Sequence, residues 1–334
     1  MKKALKNSLI LTLLIISTVF IFYLIFTKID LIKTIESIKS VKFHYFILCV
    51  LISTFINIFV YAKIRLIIWQ CLKHIISYKE LLFIRLGSMP FKAIPSMKTT
   101  DIVAALYLNK FNNIPIAEGI LSNIIASIFC LISLLFIFMI GYLSHLLYHI
   151  DFSQFQHYFT IMFFISILLV IFLYSFLLNQ NIGKNILYNL FFRKESKHLT
   201  ILQKQIETWK ELPASKNILL IFYSLLFQLS ELIIFYIFSK SFGLNIPISK
   251  ILLYVPLIII ISQLPISLSG LGIKEGSYVI FFFSFATKEM LLALGLLVFF
   301  VNQIVPIIIG VAFTFPFINK LQISEIRKYK HAKQ

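Results

Sequence analysis

The fold class that the sequence predicts is an all-α polytopic membrane protein, with about six full spans, two re-entrant or broken helical hairpins and an inverted-topology repeat. Three observations carry that prediction. Of the 334 residues, 60% are hydrophobic and only 13% are charged, about half the roughly 25% charge of a soluble domain. Apolar runs of about 20 residues recur, the length a helix needs to cross the hydrocarbon. Two further apolar regions are interrupted, in corresponding places, by proline, charge or glycine. Thirty-six phenylalanines and a mean hydropathy of +0.94 present more apolar surface than a water-soluble fold can hide. A soluble enzyme, a disordered chain and a disulfide-stapled secreted module are therefore excluded.

In chain order, the first span is expected from about Asn7 to Phe26, behind Lys2, Lys3 and Lys6. It is too long for a signal peptide and lacks a small-residue cleavage site, so it should stay as a membrane helix. Full spans follow near 44–61, 118–143, 158–178, 217–239 and 290–318. The first broken hairpin, about 81–108, is interrupted by Arg85, Pro90, Lys92, Pro95, Lys98 and Asp101. The second, about 251–287, holds Pro256, Pro265, Gly270, Gly272, Lys274 and Glu275.

Loop charge sets the orientation. Segment 62–110 carries eight Lys or Arg, 179–216 seven and the tail 319–334 five, whereas 144–157 carries none. Both termini are thus expected in the cytoplasm, with 144–157 outside. Lys28, Lys33, Lys39 and Lys42 violate that rule in the first outer loop, which is read as an amphipathic surface helix. The count closes if each hairpin enters and returns on one side. The chain then divides into a first membrane repeat (1–150), a second of opposite topology (151–318) and a basic tail. Residues 184–216 mix helical apolar spacing with charge and read as a cytoplasmic amphipathic connector. The net charge of +18 fits cytoplasmic loops and anionic headgroups, and nucleic acid is not expected as a partner. Cys49, Cys71 and Cys130 lack metal-type spacing and read as packing residues.

Irregular backbone in a bilayer persists only where protein or a wet cavity satisfies its N–H and C=O groups, so the two breaks are the candidate binding region. In the second, Pro265 should stop a helix, Gly270 and Gly272 permit positive φ, and Ser267 and Ser269 add hydroxyls. A helix restarting near Glu275 would aim N–H groups at the break, a seat for phosphate or carboxylate. Lys274 would hold a lipid phosphate, with Glu275 tuning it or carrying a proton; otherwise both are interfacial. Pro95, Lys98 and Asp101 repeat that chemistry in the first break. Glu231, inside an apolar run, must be protonated or paired, as a proton-coupling site or a neutral acid bonded across helices. Trp69 and Trp209 read as interfacial.

The stretch PISLSGLGIKEGSYVIFF, followed by a span with Asn302, Gln303 and Pro306, resembles the hairpin of the flippase-like family that includes the transmembrane domain of lysylphosphatidylglycerol synthases. Pro265, Gly270, Gly272, Lys274 and Glu275 carry the resemblance, Lys274 standing where Arg is commoner. IPSMKTTDIVAALYL is similar to the family's first hairpin, with Ala104 near an expected Arg; SNIIASIFCLI lacks the acid–arginine pair common in the next span. The resemblance implies movement of a polar-headed lipid, an aminoacylated phospholipid or a polyprenyl-phosphate-linked glycan, between leaflets. The soluble aminoacyl-transferase domain is not expected, because the chain ends sixteen residues after the last span.

The function expected is therefore a lipid flippase of a bacterial cytoplasmic membrane. A non-transporting accessory or scaffold of envelope lipid or glycan assembly is the alternative. An enzyme is not expected, since no acid cluster or protease motif is present, and neither is a cofactor or metal. Partners would be anionic or phosphate-bearing lipids, with a second copy of the chain or envelope-assembly proteins beside them.

Overall fold

The computed structural model describes residues 2–93, 99–147, 156–178, 214–264, 267 and 270–331, and every regular element among them is helical. The expected amphipathic connector falls on residues 184–216, of which 184–213 lie outside the described part, as do Trp209, Pro95, Lys98, Pro265 and Ser269.

Helix α1 (Lys2–Phe26) is followed by the short α2 (Leu31–Lys39), bent from it by 87°. Asp30 caps α2, its Oδ1 accepting the N–H groups of Ile32 at 2.9 Å and Lys33 at 3.3 Å, the usual use of an aspartate ahead of a helix. α2 buries Thr34, exposes Ile32 and lies against the helix Lys288–Phe299, so the lysine-rich first loop does form a short amphipathic helix. α3 (Phe43–Phe55), a π-helical turn (Ile56–Val60) and α4 (Tyr61–Cys71) make one rod of 29 residues. This corrects the sequence expectation, which ended the span at 61 and counted Arg65 as a loop charge. The helix runs on because Arg65 finds a partner within the bundle.

The first broken pair comprises α5 (Tyr78–Ser88), a 3₁₀ turn (Met89–Ala93) and α6 (Thr99–Asn112). Long α7 (Ile116–Leu147), α8 (Gln156–Leu178) and α9 (Ala214–Ser241) follow. The second broken pair is α10 (Ile248–Ser262) and α11 (Ile273–Phe282), then α12 (Lys288–Phe299), a π turn (Phe300–Ile304) and α13 (Val305–His331). α13 runs beyond the expected span end at 318, since no glycine or proline follows Pro316 to stop it.

Four of these are long and apolar enough to cross a membrane: Phe43–Cys71, Ile116–Leu147, Ser215–Ser241 and Lys288–Asn319, and the bent pair α1–α2 would make a fifth. Helices also stand at each remaining place where the sequence predicts a span. Large apolar side chains such as Phe20, Phe43, Leu51, Phe164 and Phe315 lie exposed along them, as expected where the solvent is lipid. The chain is a multi-pass membrane protein.

The helices pack reciprocally. α7 lies against α6 of its own half and α10 of the other; the α12–α13 rod lies against α11 of its own half and α5 of the other. Glycines sit on all four seams. A Cβ on Gly119 would come 2.6 Å from the Ala105 Cβ, and one on Gly141 would overlap the Leu252 carbonyl. A Cβ on Gly295 would meet the Glu275 Cα at 3.2 Å, and one on Gly310 the Leu86 carbonyl oxygen at 2.8 Å. Such small residues let membrane helices approach closely.

A π turn leaves backbone carbonyls without helical partners, and side chains take them up here. Ser53 Oγ lies 2.9 Å from both the Val301 carbonyl and Asn302 Oδ1, and Asn57 Nδ2 donates to the Ser53 carbonyl at 3.0 Å. Arg85 Nε donates to the Asn57 carbonyl at 3.0 Å and the Tyr78 hydroxyl to that of Phe59 at 3.0 Å. Because Ser53 is fully buried, Ser53→Ala is expected to cost about 1–3 kcal/mol, the price of stranded acceptors. A melting temperature equal to that of the wild type would show that water serves this seam.

Candidate functional site: a polar track joining the two breaks

In the second break α10 ends at Ser262 and the chain turns at Gly270 (φ +77°) and Gly272 (φ +81°), the left-handed geometry expected of both. A Cβ on Gly270 would lie 2.5 Å from the Ser262 carbonyl oxygen, so no larger residue fits without moving the backbone. α11 then starts at Ile273 with Gly272 as its N-cap, and Glu275, three residues after that cap, closes it from within the helix. Its Oε2 accepts the Gly272 N–H at 2.7 Å, filling part of the N-terminal seat that the sequence reserves for a ligand anion. Glu275 is fully buried and its Oε1 has no hydrogen-bond partner.

Lys274 points the other way, across to α9, where it forms an ion pair with Glu231. Both are largely buried, with side chains 10% and 17% exposed. Of the sequence alternatives for Glu231, pairing is the one seen, and with a cation rather than a neutral group. Gln228, one turn earlier, donates to the Cys130 carbonyl at 3.0 Å and ties α9 to α7. Tyr278 lies within electrostatic reach of both Glu231 and Glu275, its hydroxyl buried without a hydrogen-bond partner. Ser267 Oγ is buried in the same state.

The first break contributes Lys92, on the 3₁₀ turn after α5, and Asp101, in the first turn of α6. Lys92 interacts electrostatically with Arg85 and Asp101 of its own half and with Lys274 and Glu231 of the other. Asp101 interacts with Arg65 as well. The string Arg65, Asp101, Arg85, Lys92, Lys274, Glu231, Glu275 thus runs from the first half into the second through the bundle interior. Charges buried in a membrane protein are expensive and face a partner or cavity; here Lys274 pairs with Glu231, and Asp101 lies within electrostatic reach of Arg65 and Lys92.

Of the residues selected from sequence, Gly270, Gly272, Lys274, Glu275 and Glu231 form one cluster, with Ser267 buried in the same break; Asp101 joins it through Lys92. Arg65 and Arg85 were read from sequence only as charge that marks loops and interrupts a hairpin. The available signal was position: Arg65 follows Tyr61 by one turn on an apolar helix, and Arg85 sits between Ile84 and Leu86. Trp69 is fully buried rather than interfacial, packed edge-on against His74 with ring centres 5.6 Å apart.

No curated protein matches the chain. The family described as Lysylphosphatidylglycerol synthase TM region matches residues 9–310, nearly the whole of the helical part just described and both of its breaks. The chain belongs to the lysylphosphatidylglycerol synthase TM region family.

Proposed function

We propose that the chain moves a polar-headed lipid, an aminoacylated phospholipid or a polyprenyl-phosphate-linked glycan, between the leaflets of a bacterial cytoplasmic membrane, without enzymatic chemistry of its own. The observation that carries the reading is the run of interior charges of both signs linking Lys92 and Asp101 to Lys274 and Glu231. A headgroup could pass from one opposite charge to the next while its acyl chains stay in lipid outside the bundle. Six spans, two re-entrant pairs and an inverted-topology repeat with both termini cytoplasmic complete the proposal. The recurring element order in the two halves and the reciprocal packing of α7 and α13 support it. Membership of a family of lipid-synthase membrane regions agrees with a lipid role.

The test is a vesicle assay. The full chain is reconstituted in phosphatidylcholine vesicles doped with fluorescently tailed phosphatidylglycerol, and dithionite reports how much probe reaches the outer leaflet. Wild type should bleach nearly all of the probe where empty vesicles bleach about half, and a Lys274→Ala/Glu231→Gln variant should behave as empty vesicles. A wild type no faster than empty vesicles with each lipid class tried would sink transport and favour the accessory reading.

A further inference from the structure

At the first-half end of the track a polar chamber opens between α4, α5, α6 and α7, lined by Tyr61, Arg65, Arg85, Thr100, Asp101 and Asn123 among others. Arg65 is only 7% exposed. Its Nη2 donates to Ser122 Oγ at 2.7 Å, and Ser122 passes its own proton to the Gly119 carbonyl at 2.7 Å. Its Nη1 is buried and has no hydrogen-bond partner. Arg85, also in the lining, is held by its Nε on the Asn57 carbonyl and with its guanidinium 3.9 Å from the centre of the Tyr61 ring. Among the described lining residues Asp101 is the single carboxylate, so two guanidiniums less one carboxylate give these residues a charge of +1.

A guanidinium cannot shed its proton, and a buried N–H donor without an acceptor bears the full penalty of desolvation. The chamber therefore offers an anion an unused donor and a net positive charge. The planar fork of an arginine matches the paired oxygens of a phosphate, and a site with two such forks on rigid helices is preorganised for one. We propose that this chamber binds a phosphate group, with Arg65 Nη1 and the Arg85 guanidinium as donors and the Thr100 hydroxyl as a third, and with Asp101 limiting how tightly it is held. As the binding stage for a lipid headgroup it deepens the transport reading and rests on it for direction; as an anion site it stands alone. Arg85 and Asp101 both interact with Lys92, which puts the chamber in line with the track to Lys274.

Trp69 lies 5.6 Å from the Arg65 guanidinium and is one of only two tryptophans, so the full-length Trp209→Phe protein in dodecylmaltoside reports on the chamber by its own fluorescence. Dioctanoyl-phosphatidylglycerol should give a saturable change. Arg65→Gln should raise Kd about tenfold or more, as loss of a charge-assisted hydrogen bond implies; Arg65→Lys should fall between, and Asp101→Asn should lower Kd several-fold. Dioctanoylglycerol, which lacks the phosphate, should give no response. Inorganic phosphate binding with the same Arg65→Gln loss would uphold the site and make free phosphate a ligand. A Kd unchanged across Arg65→Gln and Asp101→Asn, or an equal response to dioctanoylglycerol, overturns the proposal. If Arg65→Gln does not fold, the Asp101→Asn and Arg65→Lys arms decide. Binding without lipid movement in vesicles would spare the chamber and sink transport; movement without binding would do the reverse.

Discussion

Lys274→Ala is expected to lower stability by about 3–5 kcal/mol, because it leaves the Glu231 carboxylate buried with its cation gone. Glu231→Gln should do similar damage from the other side. The double variant Lys274→Met/Glu231→Gln should recover most of that loss, since removing both charges of a buried pair is often neutral. It should nevertheless move no lipid. Thermal unfolding followed by size-exclusion chromatography of wild type, Lys274→Met, Glu231→Gln and their double variant gives the coupling between the two residues directly, and the vesicle assay gives function. A Lys274→Ala protein as stable as wild type would mean that water reaches the pair. A double variant that moves lipid would remove the ionic track from the mechanism, whatever its stability.

The contrast between stability and function matters because the two readings of Lys274 make opposite demands. A lysine committed to structure should be replaceable together with its partner. A lysine that exchanges Glu231 for a lipid phosphate cannot be, since that exchange needs the positive charge. The same logic applies to Glu275, whose Oε2 is engaged by the Gly272 N–H while Oε1 has no partner. One oxygen shapes the break and the other is available to it.

Much of this was legible in the chain because membrane helices obey few rules. Length and apolarity locate α3, α7, α9 and α12–α13, and Gly270 and Gly272 could be assigned positive φ from the sequence because nothing else tolerates it as well. Lys274, Glu275 and Glu231 were each singled out by one statement, that charge inside an apolar run must have a reason. What could not be read was which charges meet. Glu231 and Lys274 are 43 positions apart (274 − 231), and no local period connects them. Arg65 was hidden by a rule that works on average: basic residues near a span end mark the cytoplasm. The rule says nothing of a helix that continues past its apolar run. The π turns at Asn57 and Asn302 left no local mark either; the bonds from Ser53 to Val301 and Asn302 that join them span most of the length of the chain.

The largest steric effect should come from the glycine seams. Gly141→Val would drive a Cβ into the Leu252 carbonyl of α10, and Gly310→Val would set one 2.7 Å from Pro90 Cδ and 2.8 Å from the Leu86 carbonyl oxygen. Overpacking a core costs about 1–3 kcal/mol where side chains can yield, and more where the wall is backbone. Gly141→Val meets backbone alone and is expected to lose at least about 3 kcal/mol, with little protein recovered after extraction. Gly310→Val, which meets a proline ring as well, should fold more often but melt lower. Leu143→Val, two residues along α7 on a surface 49% exposed, should match wild type in both respects. The pairing of effects carries the argument: Gly141 lets α7 approach the second broken pair, and Gly310 lets α13 approach the first. If both valine variants fold normally, each broken pair stands away from the opposite half in the membrane, and Lys92 and Lys274 lose the framework that holds them within reach of one another. If Gly310→Val folds and keeps Arg65-dependent phosphate binding but no longer moves lipid, the α5–α13 seam is where the two halves must slide.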